Sequence, residues 1–82
     1  MTDVPIVYYL PGCPYSAKLR AQLTLACLPH RSVRFRDDEE GAAAVRAHHP
    51  QGHELSPTVL VGGRYLTNPS LREVREAVAR AR

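Results

Sequence analysis

Of the two thiols in this chain, Cys13 is the one placed for chemistry. It stands in Leu10-Pro11-Gly12-Cys13-Pro14-Tyr15-Ser16, directly after the apolar run Ile6-Val7-Tyr8-Tyr9-Leu10. An apolar run broken by Pro and Gly reads as a strand entering a turn. Pro14 then suits the first position of a helix, where its missing N–H costs nothing. Cys13 therefore falls at a helix N-terminus, where unpaired N–H groups and the helix dipole favour an anion. A thiolate attacks a disulfide and a thiol does not, so the chemistry on offer is thiol–disulfide exchange. The plainer reading, an inert buried cysteine, suits a Gly-Cys-Pro turn poorly.

The other candidate ligands and nucleophiles read as structural. Cys27 continues the apolar stripe of Leu19, Leu23 and Ala26, which predicts packing in or just beneath the core. If one helix carried both thiols, their separation in sequence would put them about 21 Å apart. A disulfide needs Cα atoms within roughly 7 Å, so no intramolecular bridge is expected. His48, His49 and His53 straddle Pro50 and Gly52 with no cysteine nearby. Structural zinc asks for four well-placed ligands, so a solvated loop is the expectation and no metal site is assigned.

The elements that must position Cys13 follow from periodicity and breakers. Val4–Leu10 is apolar without alternation, as in a strand covered on both faces. Residues 14–26 read as a helix that Pro29 stops. Ser32–Arg36 alternates, Val33 and Phe35 on one face and Ser32, Arg34 and Arg36 on the other, which predicts a half-exposed edge strand. Asp37–Glu40 complements the dipole at the start of a second helix, through Ala42–Ala47, which Pro50 and Gly52 end. Thr58–Val61, Gly62-Gly63 and Arg64–Leu66 form a tight hairpin. Ser70-Leu71-Arg72-Glu73 is a capping box, and Leu71, Val74 and Val78 give the last helix its buried face. The order β-α-β-α-β-β-α predicts a right-handed parallel β-α-β pair extended by an antiparallel hairpin. This is an α/β domain of thioredoxin type: a four-stranded mixed sheet flanked by three helices, a single domain over residues 1–82.

Composition narrows the class. The net charge of +3 is modest and dispersed, which argues against a nucleic-acid partner. No apolar run nears the ~20 residues of a membrane span. Met1–Pro5 has neither a basic region nor a long apolar stretch, so no signal peptide is read and a cytoplasmic location is the default expectation.

Cys13-Pro14-Tyr15-Ser16 resembles the glutaredoxin active site, usually Cys-Pro-Tyr-Cys. Ser56-Pro57-Thr58 is similar to the Thr-Val-Pro segment of that family, and the resemblance implies a cis Pro57 facing the active-site cysteine. Leu66-Thr67-Asn68-Pro69-Ser70-Leu71 resembles the mycoredoxin branch, glutaredoxin-like proteins that use mycothiol. The resemblance covers essentially the whole chain, and it implies a thiol–disulfide oxidoreductase with Cys13 as nucleophile. Tyr15, Ser16 and the turn Asn68, Pro69, Ser70 would then shape the small-thiol site, beside Pro14, with Ser56 and Pro57 positioning substrate. A cis bond at Pro57 would leave the Ser56 N–H and C=O to pair with an extended substrate.

Two departures direct the mechanism. Ser16 replaces the second cysteine, which closes the dithiol route and leaves a monothiol one. Asn68-Pro69-Ser70 stands where many glutaredoxins carry a Gly-Gly-Cys-Asp-like motif, which favours mycothiol over glutathione as co-substrate. The Ser16 hydroxyl could donate to the Cys13 thiolate, or point at helix backbone or water. No tightly bound cofactor is expected; the partners are mixed-disulfide proteins and a small thiol, with no nucleic acid or membrane, and the protein is read as a monomer. The alternatives are a [2Fe–2S] cluster carrier and a non-catalytic thioredoxin-fold adaptor. Cluster-binding relatives typically carry Cys-Gly-Phe-Ser, whose outer residues match Cys13 and Ser16 while Pro14-Tyr15 does not match the centre.

Overall fold

A computed structural model describes residues 4–49 and 56–81. Its elements are β1 (Ile6–Tyr9), α1 (Pro14–Leu25), β2 (Arg31–Arg34), a single 3-10 turn (Phe35–Asp37), α2 (Glu39–His48), β3 (Thr58–Val61), β4 (Arg64–Thr67) and α3 (Leu71–Ala81). The sheet order is β2-β1-β3-β4. β1 runs parallel to β2 and antiparallel to β3, and β3 pairs antiparallel with β4. A four-stranded mixed sheet with three helices is thus present as expected, compatible with a thioredoxin-like fold.

Side-chain alternation along the central strands divides the core in two. Val7, Val59 and Val61 point to one face, where Leu19 and Leu23 of α1 and Val74, Ala77 and Val78 of α3 cover them. Tyr8 points to the other face, with Phe35 and with Ala42 and Val45 of α2. Tyr8 and Phe35 stack with ring centroids 5.9 Å apart. Burial on both faces explains why β1 shows no polar alternation.

The hairpin turns at Gly62 and Gly63, with φ of 54° and 79°, the left-handed pair that a two-residue type I′ turn requires. The capping box is closed in both directions: Glu73 N–H donates to Ser70 Oγ at 3.1 Å, and Ser70 N–H donates to Glu73 Oε1 at 3.0 Å. Asp38 caps α2, its Oδ1 accepting the Gly41 N–H at 3.0 Å.

Three expectations are corrected. β2 ends at Arg34, and Phe35 is buried from the 3-10 turn that follows rather than from the strand, on the same side of the sheet as Val33. The chain must bend there to start α2, and the turn delivers the ring onto Tyr8. Helix α1 stops at Leu25, and Ala26 and Cys27 are exposed. The cause is a Schellman ending: Cys27 takes φ 56°, Cys27 N–H donates to Thr24 O, and Leu28 N–H donates to Leu23 O. The left-handed residue swings its side chain outward, and Leu28, not Cys27, packs against the core. Both cysteines are free. Pro50, Gly52 and His53 lie outside the described residues. His48 Nδ1 donates to the Ala44 carbonyl oxygen at 3.0 Å, and the ring packs against Tyr65 with centroids 4.2 Å apart.

Candidate active site

The turn that presents Cys13 is built from its sequence. Leu10 C=O accepts the Cys13 N–H at 3.2 Å, closing Leu10-Pro11-Gly12-Cys13. Pro at the second position and Gly12 at the third, with φ 84°, are what a type II turn demands. The next residue starts α1: Cys13 occupies its N-cap, Pro14 follows at the first helical position, and Cys13 O accepts the Ala17 N–H at 3.1 Å. N-caps are commonly Ser, Thr, Asp or Asn, whose side-chain oxygen accepts an N–H of the first turn. Here a half-exposed thiol sulfur holds that position, and no side-chain oxygen competes for those donors.

Opposite Cys13 lies the loop leading into β3. The Ser56–Pro57 bond is cis, as the resemblance implied, and Pro57 is buried. The Cys13 thiol donates to the Ser56 carbonyl oxygen at 3.6 Å. That carbonyl is therefore engaged by the thiol rather than free for an extended substrate, which refines the expectation for Ser56. Its hydroxyl oxygen accepts the Leu10 N–H at 3.0 Å. The Cys13 thiol is lowered from its ordinary pKa, first by the Ser56 hydroxyl. Ser16 and Tyr15 N–H groups at the helix start act in the same direction, and partial burial opposes them without prevailing.

Ser16 is buried, and its hydroxyl donates to the Cys13 carbonyl oxygen at 2.9 Å. Of the partners open to it from sequence, it takes the backbone. One hydroxyl proton serves one acceptor, so the Ser16 side chain ranks behind its own N–H in stabilising the thiolate.

Asn68, Pro69 and Ser70 are brought to the same side of the molecule. Asn68 N–H donates to the Pro57 carbonyl at 2.8 Å, tying this turn to the cis-proline loop. A groove of about 550 Å³ runs between this turn and α1, lined by Tyr15, Lys18 and Gln22 on one side and Asn68 and Ser70 on the other. Tyr15 is 65% exposed at its mouth. The expected site residues thus form two adjoining parts: Cys13 with Ser56 and Pro57, and Tyr15 with Asn68–Ser70.

Sequence reasoning missed Leu10, Lys18, Gln22 and Arg72. Leu10 acts through its backbone, which no side-chain pattern signals. Tyr15, Lys18 and Gln22 are spaced i, i+3, i+7, and that helical spacing was the available clue. Arg72 lines the groove from the first turn of α3. Among the described residues no cluster of three His, Cys, Asp or Glu side chains could hold a metal, and no helix is long and apolar enough to cross a membrane. No family model matches the chain, and no curated protein is significantly similar to it.

Proposed function

We propose that this protein is a monothiol thiol–disulfide oxidoreductase of glutaredoxin or mycoredoxin type. The observation that carries the reading is the Cys13 sulfur at the N-cap of α1, against the Ser56–Pro57 loop, with its pKa lowered by hydrogen bonds. The Cys13 thiolate attacks the small-thiol sulfur of a mixed disulfide. A Cys13–small-thiol disulfide forms and the target protein leaves as a thiolate. A second small thiolate then attacks the small-thiol sulfur of that disulfide, giving the symmetric small-molecule disulfide and restoring the Cys13 thiolate. Ser16 cannot resolve the intermediate, so the second small thiol is obligatory.

The groove between α1 and the Asn68–Ser70 turn supports a bound small thiol. Mycothiol is the preferred co-substrate: Gln22, Asn68 and Ser70 offer amide and hydroxyl partners for a sugar. Lys18 and Arg72 would instead suit the carboxylates of glutathione, so a competition assay separates the two. A cytoplasmic location fits a thiol that has to be returned to the reduced state.

Turnover of a mycothiolated or glutathionylated peptide tests the reading. Wild-type protein is expected to release the peptide thiol catalytically and Cys13→Ser not at all. Its alkylation rate against pH should have a midpoint below that of an ordinary cysteine. Because the folded pKa is lowered, reactivity persists to lower pH and is lost as pH falls through that midpoint. An ordinary midpoint with no turnover on either peptide overturns the proposal.

A further inference from the structure

We infer that the free edge of β4, with the groove beside it, is a self-association surface: two copies of this chain join β4 to β4, antiparallel, about a two-fold axis.

The backbone leaves this edge open. Asn68 N–H donates to Pro57 O at 2.8 Å, and the register pairs Leu66 with Val59 and Arg64 with Val61. Hydrogen-bonded pairs alternate along an antiparallel ladder. Residues 64, 66 and 68 therefore bond β3, while Tyr65 and Thr67 aim their N–H and C=O groups away from it. β4 is the last strand on its side of the sheet, and among the described residues no hydrogen bond uses those outward groups. The opposite edge strand, β2, carries exposed Arg31 and Arg34 with Arg36 next, a run of one sign that repels a second copy. β4 carries one charge, Arg64, and otherwise Tyr65, Leu66 and Thr67.

The charges of the groove select the occupant. It holds about 290 Å³ between β4 and α3, lined by Leu66 and Ala77 with Arg64, Arg80, Glu73 and Glu76. α3 runs back along β4, from its Ser70 cap beside Asn68 to Ala81 at the Gly62 turn, where a Cβ on Gly62 would stand 2.8 Å from that of Ala81. Arg64 and Arg80 therefore share the hairpin end, and Glu73 and Glu76 lie toward the other. Neither arginine is ion-paired among the described residues. Glu76 has only an exposed contact with Arg72 at 3.7 Å, and Glu73 holds the Ser70 N–H with one oxygen. A strand of one charge sign would be repelled at one end of this groove. A second copy turned about a two-fold axis meets opposite charge at both ends.

One register satisfies the edge. Pairing Tyr65 with Thr67 of the other copy lets both residues of each copy exchange N–H and C=O groups. It sets Leu66 against Leu66 at the axis and each Arg64 opposite Asn68, so no like charges face each other across the strands. Both α3 helices fall on one side of the joined sheet, the arginine end of one groove beside the glutamate end of the other. A dimer replaces the monomer expected from the sequence.

Sedimentation equilibrium from micromolar to millimolar protein tests this, in a Cys27→Ser background under reductant. The mass should climb from 9.1 kDa toward twice that value, with a midpoint that moves several-fold higher in added salt. Amide exchange at Tyr65 and Thr67 should slow with the same midpoint. Thr67→Pro removes an outward donor and leaves the β3 ladder whole, so it should raise the midpoint about tenfold or more. Two charge variants serve if that one folds poorly. Arg64→Glu with Arg80→Glu makes the groove acidic. Glu73→Gln with Glu76→Lys makes it basic and keeps the capping-box acceptor. Each alone should lose self-association, and an equimolar mixture should regain it. A monomer mass at every concentration, an unmoved midpoint in folded Thr67→Pro, or no rescue on mixing overturns the proposal. Protection of Tyr65 and Thr67 by added oligo-glutamate or oligo-lysine, with the protein alone monomeric, overturns it as well and assigns the edge to another chain.

Discussion

Cys27 shows how a single residue can mislead a periodicity argument. It continues the spacing of Leu19 and Leu23, yet it sits at φ 56° past the end of α1 with its thiol exposed. The left-handed conformation costs a non-glycine residue roughly 1–2 kcal/mol. Cys27→Gly should therefore raise stability by about 1 kcal/mol, read as a higher midpoint in chemical denaturation, and leave peptide turnover intact. A lower midpoint would mean that the thiol makes a contact the exposed position does not provide. Cys13 is the opposite case. Its conformation, its turn and its Pro neighbour agree locally, so its position at the helix mouth was legible from seven consecutive residues.

At the scale of elements, the start of α2 is a tight junction. Asp38 caps the helix through Oδ1 while its Oδ2 accepts the Tyr8 hydroxyl at 3.4 Å. Tyr8 is held above its ordinary pKa, first by burial and then by the Asp38 carboxylate. Gly41 lies between these groups. A Cβ there would press on the Asp38 carboxylate and come within 2.7 Å of Tyr8 Cε1. In an open helix Gly→Ala gains about 1 kcal/mol. Here Gly41→Ala should instead lower stability by about 1–3 kcal/mol, the usual cost of overpacking. Thermal denaturation checks this, and a raised Tm would show that Asp38 and Tyr8 yield at little cost.

For the whole molecule, the sheet divides two small cores, and the side bearing α1 and α3 also carries the groove. Leu23 and Val59 are fully buried there. Leu23→Ala should cost about 2–5 kcal/mol and, in a domain of this size, lower Tm by roughly 10 °C or more. A drop of only about 2 °C would mean that the cavity collapses readily. Because α1 carries both Leu23 and the Cys13 N-cap, loosening of its packing should also reduce alkylation selectivity at Cys13.

Local rules are enough to read β1, a turn before Cys13, the N-cap cysteine, the Gly62-Gly63 hairpin and the capping box from the chain alone. Each depends on residues within a few positions of one another, and each has a residue type that the backbone geometry demands. The resemblance to glutaredoxins supplied the cis Pro57, which local rules alone would not have favoured. Tertiary structure decided the rest. The hydrogen bond from the Leu10 N–H to the Ser56 hydroxyl joins residues 46 positions apart. The tie from Asn68 to Pro57 follows from strand register, which only the assembled hairpin sets. Cys27 left the core because Leu28 was better placed to fill it. Backbone hydrogen bonds across long loops and competition for one core position have no signature in spacing or composition, and only the packed sheet decides them.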